Sequence, residues 1–363
     1  MTYSQKELSL IWLDGFVDLA YKHKYEIYKL IEGKKDIKSI IEKARDYFIS
    51  EIGQTAFNNL VKSANKEYLA SLLDGLNSRG VLAITIESEI YPEPLKEIEL
   101  PPLVLYVKGN VELLKNQCFG VVGSRKSLPL QKNLAKSFSS GLIESGWTLI
   151  SGIAEGIDQV VLERAIELKS PVISIVAGGF DNIYPKTNLK LFNKIAQTGL
   201  VISEQPPEVS PKPFMFPVRN RIISALSEGV LIVSAGKRSG TLWTASYAEE
   251  YSKKVFAIPY SPGLSSGEGC NDLIKRGALL CDSVQDILTA FGKHSIERAI
   301  EISDEEKEVL RVLSDGEMHV EQICAKMNKK IFEIMPILSI MEINGLVYKN
   351  GSNVYGTNRG LEV

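Results

Sequence analysis

Apolar residues in the first 86 positions recur three and four apart. Leu8, Ile11, Trp12, Phe16 and Leu19 form one such row; Ile37, Ile40, Ile41, Ala44 and Phe48 form another. This spacing predicts helices without strand alternation. A proline-rich joint, Tyr91-Pro92-Glu93-Pro94 and then Pro101-Pro102, marks the passage to a different pattern. From about 103 to 292, short β-branched runs alternate with helical windows. The runs occupy 104–109, 118–123, 148–152, 171–179, 199–204, 229–235 and 254–259; the windows include 130–145, 156–169, 188–198, 219–227 and 241–252. Most runs are almost wholly apolar, as expected of strands covered on both faces of a parallel sheet. Strand and helix in alternation, with no tandem repeat, predict an α/β, Rossmann-like, doubly wound, mostly parallel sheet.

The pattern changes again after a linker-like stretch, KHSIERAIEIS, at 293–303. Ser303 and Glu306 are spaced as a capping box opening a helix. Two further helices follow, the last near 330–344, and Asn350-Gly351 sits between two short apolar runs as a hairpin signal. Three helices and a hairpin predict a winged-helix domain. The expected organisation is a helical (SAM-like) domain at 1–86, a Rossmann-like core at 87–292, a linker at 293–302 and a winged-helix domain at 303–363.

Composition narrows the function. The 363 residues are 44% hydrophobic and 24% charged, with a net charge of −2. A disordered chain and a strongly polybasic one are both excluded, although a local basic site is not. No apolar run approaches the roughly 18–20 residues of a membrane helix, and the N-terminus has no secretory pattern. The expectation is a cytoplasmic protein with no membrane partner. Cys118, Cys270, Cys281 and Cys324 lie far apart without a CxxC, and His23, His294 and His319 are isolated. Reduced thiols, no metal and no cofactor are expected, and a nucleophile–histidine catalytic set has little to work with.

Chemistry concentrates in loops after the strands, where open parallel sheets bind ligands. Gly123-Ser124-Arg125-Lys126-Ser127 enters a helix and offers backbone amides with a guanidinium fork for an anion. Ser151-Gly152 opens the next such loop, in which Asp158 is expected to cap or to bond the neighbouring loop. Tyr184 could stack a base or brace Pro185, while Lys186 is hard to explain as core. Arg219 and Arg221 stand two apart around Asn220 at a helix start; one is expected to pair internally with a carboxylate and the other to reach solvent. Lys237-Arg238-Ser239-Gly240-Thr241 makes a phosphate cradle at another helix start, and is neither a Walker A loop nor GxGxxG. The opposing reading is a mixed-charge rim, because Glu155, Asp158, Asp181, Glu204 and Glu208 share these loops.

The succession YPEPLKEI, PPLVLYVKGN, GVVGSRKS, SGIAEGID, GGFDNIYPKTN, GLVISEQPP, FPVRNRIISALS, KRSGTLWTA, VFAIPY and GCNDLIKRGA closely resembles the bacterial DprA (Smf) family, over about 91–283. The resemblance implies a non-catalytic Rossmann-like protein that binds single-stranded DNA, forms homodimers, protects incoming strands and helps load the recombinase RecA during natural transformation. It implies that Gly123, Ser124, Arg125, Lys186, Arg219, Asn220, Arg221, Lys237, Ser239 and Gly240 line the DNA groove. The chain departs from the family at Glu155, where arginine is usual, at Leu162 (histidine), at Ser234 (a carboxylate) and at Tyr260 (glycine).

Two other classes compete. One is a nucleotide-hydrolysing enzyme resembling LOG-type phosphoribohydrolases, which carry acidic residues directly after a PGGxGT loop. Here Gly240-Thr241 is followed by Leu242-Trp243-Thr244, with no carboxylate until Glu249. The other is a RecA adaptor with little DNA affinity. The last helix stands apart from both: residues from 297 onward hold 8 basic and 12 acidic side chains, and the helix itself carries Glu333 and Glu342. That charge suits a protein surface better than a duplex groove.

Overall fold

The computed structural model describes residues 3–17, 19–30, 37–293, 303–343, 346–351 and 353–357. The linker expected at 293–302 falls, but for Lys293, outside the described residues. Contacts divide the chain into two units, 1–295 and 296–363.

The first unit begins with five helices: α1 (Gln5–Asp14), α2 (Tyr21–Leu30), α3 (Ile37–Lys43), α4 (Arg45–Ser63, kinked at Gly53) and α5 (Lys66–Ser78). Ser4 opens α1 with a capping box to Glu7. Strand β1 (Leu82–Thr85) then lies where sequence periodicity continued the helical segment. It pairs antiparallel with the strand that follows the proline joint, so 82–85 belong to the sheet. The chain continues through α6 (Glu93–Lys96), β2 (Val104–Gly109), β3 (Cys118–Gly123), α7 (Pro129–Glu144), β4 (Thr148–Ser151), α8 (Ile157–Glu167), β5 (Val172–Val176), α9 (Leu189–Thr198), β6 (Leu200–Ser203) and α10 (Met215–Leu226). Then come β7 (Gly229–Ser234), α11 (Leu242–Glu250), β8 (Lys254–Ala257), α12 (Glu268–Lys275), β9 (Leu279–Leu280) and α13 (Val284–Ala290).

These strands form a nine-stranded sheet in the order β1-β2-β6-β5-β4-β3-β7-β8-β9. Only the β1–β2 and β2–β6 pairings are antiparallel; the rest are parallel. The doubly wound, mostly parallel sheet is as expected. Strands β3 to β7 in the chain are buried along their whole length, which is why they read as unbroken apolar runs. Right-handed crossovers put α7, α8 and α9 on one face and α10 and α11 on the other, and α7 packs on α8, α8 on α9, and α10 on α11. One apolar core runs from Leu10 to Leu288, so the N-terminal helices share it with the sheet. Tyr106 of β2 donates to Asp14 Oδ2 at 2.9 Å, and Lys24 donates to the Asp14 carbonyl at 2.6 Å, which tethers the end of α1 to both neighbours.

The order reverses direction between β3 and β7. Succession runs β3, β4, β5, β6 to one side and β7, β8, β9 to the other. Loops leaving the carboxyl ends of β3 and β7 therefore diverge and open a crevice there.

The second unit contains α14 (Asp304–Leu313), β10 (Met318–His319), α15 (Val320–Met327), α16 (Ile331–Ile343), β11 (Val347–Asn350) and β12 (Val354–Thr357). The capping box expected at Ser303 is present. The expected hairpin is joined by a third strand, giving an antiparallel sheet of order β10-β12-β11. Its own core gathers Val309, Leu310, Leu313, Ile323, Ile334, Leu338, Met341 and Tyr355. Among the described residues, no helix is long and apolar enough to cross a membrane, and no cluster of His, Cys, Asp or Glu could hold a metal.

Candidate nucleic-acid interface

A cleft of about 740 Å³ occupies the β3/β7 crevice. Its lining includes Gly123, Ser124, Arg125, Lys126, Arg219, Asn220, Ser239, Gly240 and Thr241, drawn from three of the loops singled out above. These loops hold one another in place. The Ser124 N–H donates to Ser234 Oγ at 3.2 Å, joining the ends of β3 and β7. The Gly123 N–H donates to Asp158 Oδ1 at 3.3 Å, the loop-bonding role expected of that aspartate. Gly156 has φ +87°, and a β-carbon there would lie 2.3 Å from the Ser124 carbonyl oxygen. Only glycine lets the loop after β4 press so closely on the loop after β3. Asn220 reaches from α10 to the Gly240 carbonyl at 3.3 Å.

Charge is distributed unevenly across this frame. The side chains of Arg125 and Lys126 are exposed and form no hydrogen bond or ion pair among the described residues; the Arg125 guanidinium lies 4.9 Å over the Phe216 ring. Arg219 is buried, donating to the Ile175 carbonyl and to Asn220 Oδ1. A β-carbon on Gly152 would sit 2.4 Å from Asp158 Oδ2 and 2.6 Å from Arg219 Nη2, so the glycine leaves room for those charges to face each other. Burial pushes the Asp158 carboxyl up to about 6, opposed by Arg219, while burial pulls Arg219 down to about 10. Asp158 is the single carboxylate in the lining. Three of the other four acids of the mixed-charge reading are engaged elsewhere: Glu204 with Arg221, Asp181 with Arg79 at 3.0 Å, and Glu155 with the Thr187 hydroxyl at 3.1 Å; Glu208 is exposed and outside the lining.

The lining also has an apolar part, Pro211, Pro213, Phe216 and Pro217, with Tyr184. Tyr184 is 53% exposed and meets Phe216 edge-on at 5.7 Å, which corrects the alternative of a buried tyrosine bracing Pro185. Thr244 Oγ1, at the base of the lining, is buried and has no partner among the described residues.

The remaining sequence candidates lie outside the lining. Ser151 and Gly152 are buried beneath it, and the Ser151 hydroxyl donates to the Val121 carbonyl at 2.7 Å. Lys186, Lys237 and Arg238 are exposed on flanking loops. Arg221 is the arginine of the pair that binds a carboxylate internally, as expected of one of the two: it is buried against Glu204, outside the cleft lining, and faces the Tyr21 ring at 5.9 Å. Neither arginine of the pair reaches freely into solvent, because α10 starts at Met215 and both already lie inside a packed helix. The proline part of the lining was missed altogether. Its only sequence signal is the density of proline between 206 and 217.

A family model described as DNA recombination-mediator protein A matches residues 82–292. The chain belongs to this family. The DNA processing protein DprA of Bacillus subtilis (strain 168) is 38% identical over 230 residues, 63% of this chain and 77% of that one. DprA of Streptococcus pneumoniae (strain ATCC BAA-255 / R6) is 40% identical over 213 residues, 58% of this chain and 74% of its own. Among solved structures, DprA from S. pneumoniae aligns with TM-score 0.69 and 30% identity, covering 81% of this chain and 100% of that one. DprA from Helicobacter pylori, whose structure is described in terms of its single-stranded DNA binding mode, aligns with TM-score 0.53 and 30% identity over 58% of this chain and 97% of its own. The resemblance read from the motif succession therefore holds.

Proposed function

We propose that this chain binds single-stranded DNA, without sequence preference and without catalysis, through the cleft at the β3/β7 crevice. The observation that carries this reading is the imbalance of charge there. Arg125, Lys126 and Arg219 face one carboxylate; the loop carrying the first two leads to the N-terminus of α7, and Arg219 stands in the second turn of α10. Backbone phosphates need cations and amides, and an open apolar surface accepts any base. The naming of a single-stranded DNA binding mode for the H. pylori relative supports the same ligand. Gly123, Ser124, Arg125, Lys126, Arg219, Asn220, Ser239, Gly240 and Thr241 then contact the strand directly, with Lys186, Lys237 and Arg238 along its path.

Hydrolysis of nucleotides is disfavoured by the one carboxylate in the lining. Asp158 accepts the Gly123 N–H and lies under Arg219, poorly placed to stabilise positive charge on a ribose. Incubation with AMP-like nucleotides should release no free base. The wider role extends the binding: protection of incoming strands and help in loading RecA, in a cytoplasmic setting and as a homodimer. Edge strand β9 carries Leu279 and Leu280 exposed at 42% and 50%, a surface a second copy would cover. Sedimentation at micromolar concentration finding only a 40.2 kDa species would refute the dimer. The C-terminal unit is read as a winged helix that contacts protein. A gel-shift titration with single- and double-stranded oligonucleotides tests the whole reading; preference for duplex, or no shift, sinks it.

A further inference from the structure

Outside the cleft, α11 and its C-cap carry a row of aromatic rings, Trp243, Tyr247 and Tyr251, none of which lines the cleft; of the three, Tyr251 packs against the core. Trp243 lies in its first turn, between Thr241 and Thr244, which both line the cleft, yet its own ring is outside the lining and 53% exposed. Tryptophan is usually well buried, and Trp12 and Trp147 of this chain are each 2% exposed. The indole makes no hydrogen bond among the described residues. Its one ring neighbour is Tyr247, at 6.3 Å between centroids, and Tyr247 in turn stacks on Tyr251 at 6.1 Å. Residues four apart stand one above another along a helix, so the rings form a ladder leading away from the cleft mouth.

We propose that this ladder is a stacking platform for nucleobases of a single strand leaving the cleft, with Trp243 as the first step and Tyr247 as the second. The proposal rests on the single-strand reading of the cleft and extends that site beyond its lining. Two features select a nucleic acid as the occupant. The platform is continuous with the Ser239-Gly240-Thr241 loop of the cleft, and the exposed cations Lys237 and Arg238 on the same loop form no ion pair among the described residues. Aromatic faces interleaved with free cations are the recurring composition of surfaces that bind single strands irrespective of sequence. The far end is closed by the exposed carboxylates Glu249 and Glu250, which repel a backbone. Tyr247 and Tyr251 are both half-buried, but Tyr251 packs against the core, so the platform serves about two bases.

Intrinsic fluorescence isolates the site, because Trp243 is the exposed member of three tryptophans. Titrating the full chain with an oligothymidylate about 20 nucleotides long should quench its emission saturably, and Trp243→Phe should bind within about threefold but lose the quench. Trp243→Ala should bind about tenfold more weakly, with the slope of log K against log salt unchanged because no phosphate contact is removed. An abasic strand of equal length should bind wild type and Trp243→Ala alike. Wild-type affinity for oligothymidylate in Trp243→Ala overturns the platform, as does an equal loss on both strands. Lost self-association with unchanged DNA affinity also overturns it, since the face is then a protein contact. Failure of the cleft itself looks different: the wild type would bind neither strand.

Discussion

The cleft and the C-terminal unit each present helices that a nucleic acid could meet, and their chemistry is opposite. In the cleft, Arg125 and Lys126 stand free, while nearby acids are drawn off into pairs behind it. In the C-terminal unit, three of the six cations on described residues are drawn off: Lys326 pairs with Asp315, Lys329 with Glu305 and Lys307 with Asp304. What α16 shows to solvent is apolar and acidic, without a cation: Phe332, Ile340 and Ile331 are exposed at 68%, 53% and 47%, beside exposed Glu333 and Glu342. The number of basic residues does not decide which surface attracts phosphate. What decides it is which cations have their partners elsewhere in the fold.

The largest expected effect tests that distinction inside one helix. Arg221→Ala leaves Glu204 buried without its counter-charge and should lower folding stability by about 3–5 kcal/mol, read by denaturant titration. Single-strand affinity of the variant while folded should stay near wild type. A variant of unchanged stability that fails to bind would return Arg221 to the interface. Next is Arg125→Ala, which removes a free charge-assisted contact and should weaken single-strand binding by about 1–3 kcal/mol with little change in stability. Lys330→Ala in the C-terminal unit should change affinity by less than about 0.5 kcal/mol, the range of an exposed surface charge that makes no specific contact.

Acidity separates the two regions further. Burial raises the Asp158 carboxyl to about 6 in the folded chain, above its unfolded value. Its contribution to stability is therefore fully present below about pH 4 and lost as pH rises through about 6, an effect of roughly 3 kcal/mol for a shift of about two units. Protonation also removes the one negative charge in the lining, so single-strand affinity should rise as pH falls from 7 to 5. Asp158→Asn should flatten both profiles. Unaltered pH profiles in that variant would show that Asp158 does not set the charge of the cleft.

The smallest effect is expected from removing the other region. Deletion of 297–363 should leave single-strand affinity within about threefold, under the 1.4 kcal/mol of a tenfold change. A tenfold loss in a truncated chain that is folded and retains its assembly state would put α16 on the DNA path.

Much of this architecture is legible in the residues, for a physical reason. The strands from Val104 to Ala257 are buried on both faces, so their apolar runs need no context to be read. Strands β9 and β10 escape because each is two residues long, too short for periodicity to register; β1, as long as β4, escapes because it directly continues the helical pattern before it. Helix α10 begins earlier than its pattern suggests; Pro217 reads as a loop residue, yet the first turn of a helix tolerates it. In the site, Gly123, Ser124, Arg125 and the loop ending in Thr241 are legible because small residues and cations cluster where strands end. The roles of Arg219 and Arg221 are not. Each depends on a partner brought close only by the fold, Asp158 in one case and Glu204 in the other. The Arg79–Asp181 pair, which takes a carboxylate out of the rim, spans 102 residues of sequence.

The central claim is that free cations in the cleft hold the phosphates of a single strand. Its most direct test is the affinity of the intact chain for a single-stranded oligonucleotide across a range of salt, with Arg125→Ala measured in parallel. Log K should fall linearly with log salt, at about −0.7 per phosphate contacted, and Arg125→Ala should make the slope shallower by about one such contact. An affinity insensitive to salt, or a slope that Arg125→Ala leaves unchanged, would contradict the account.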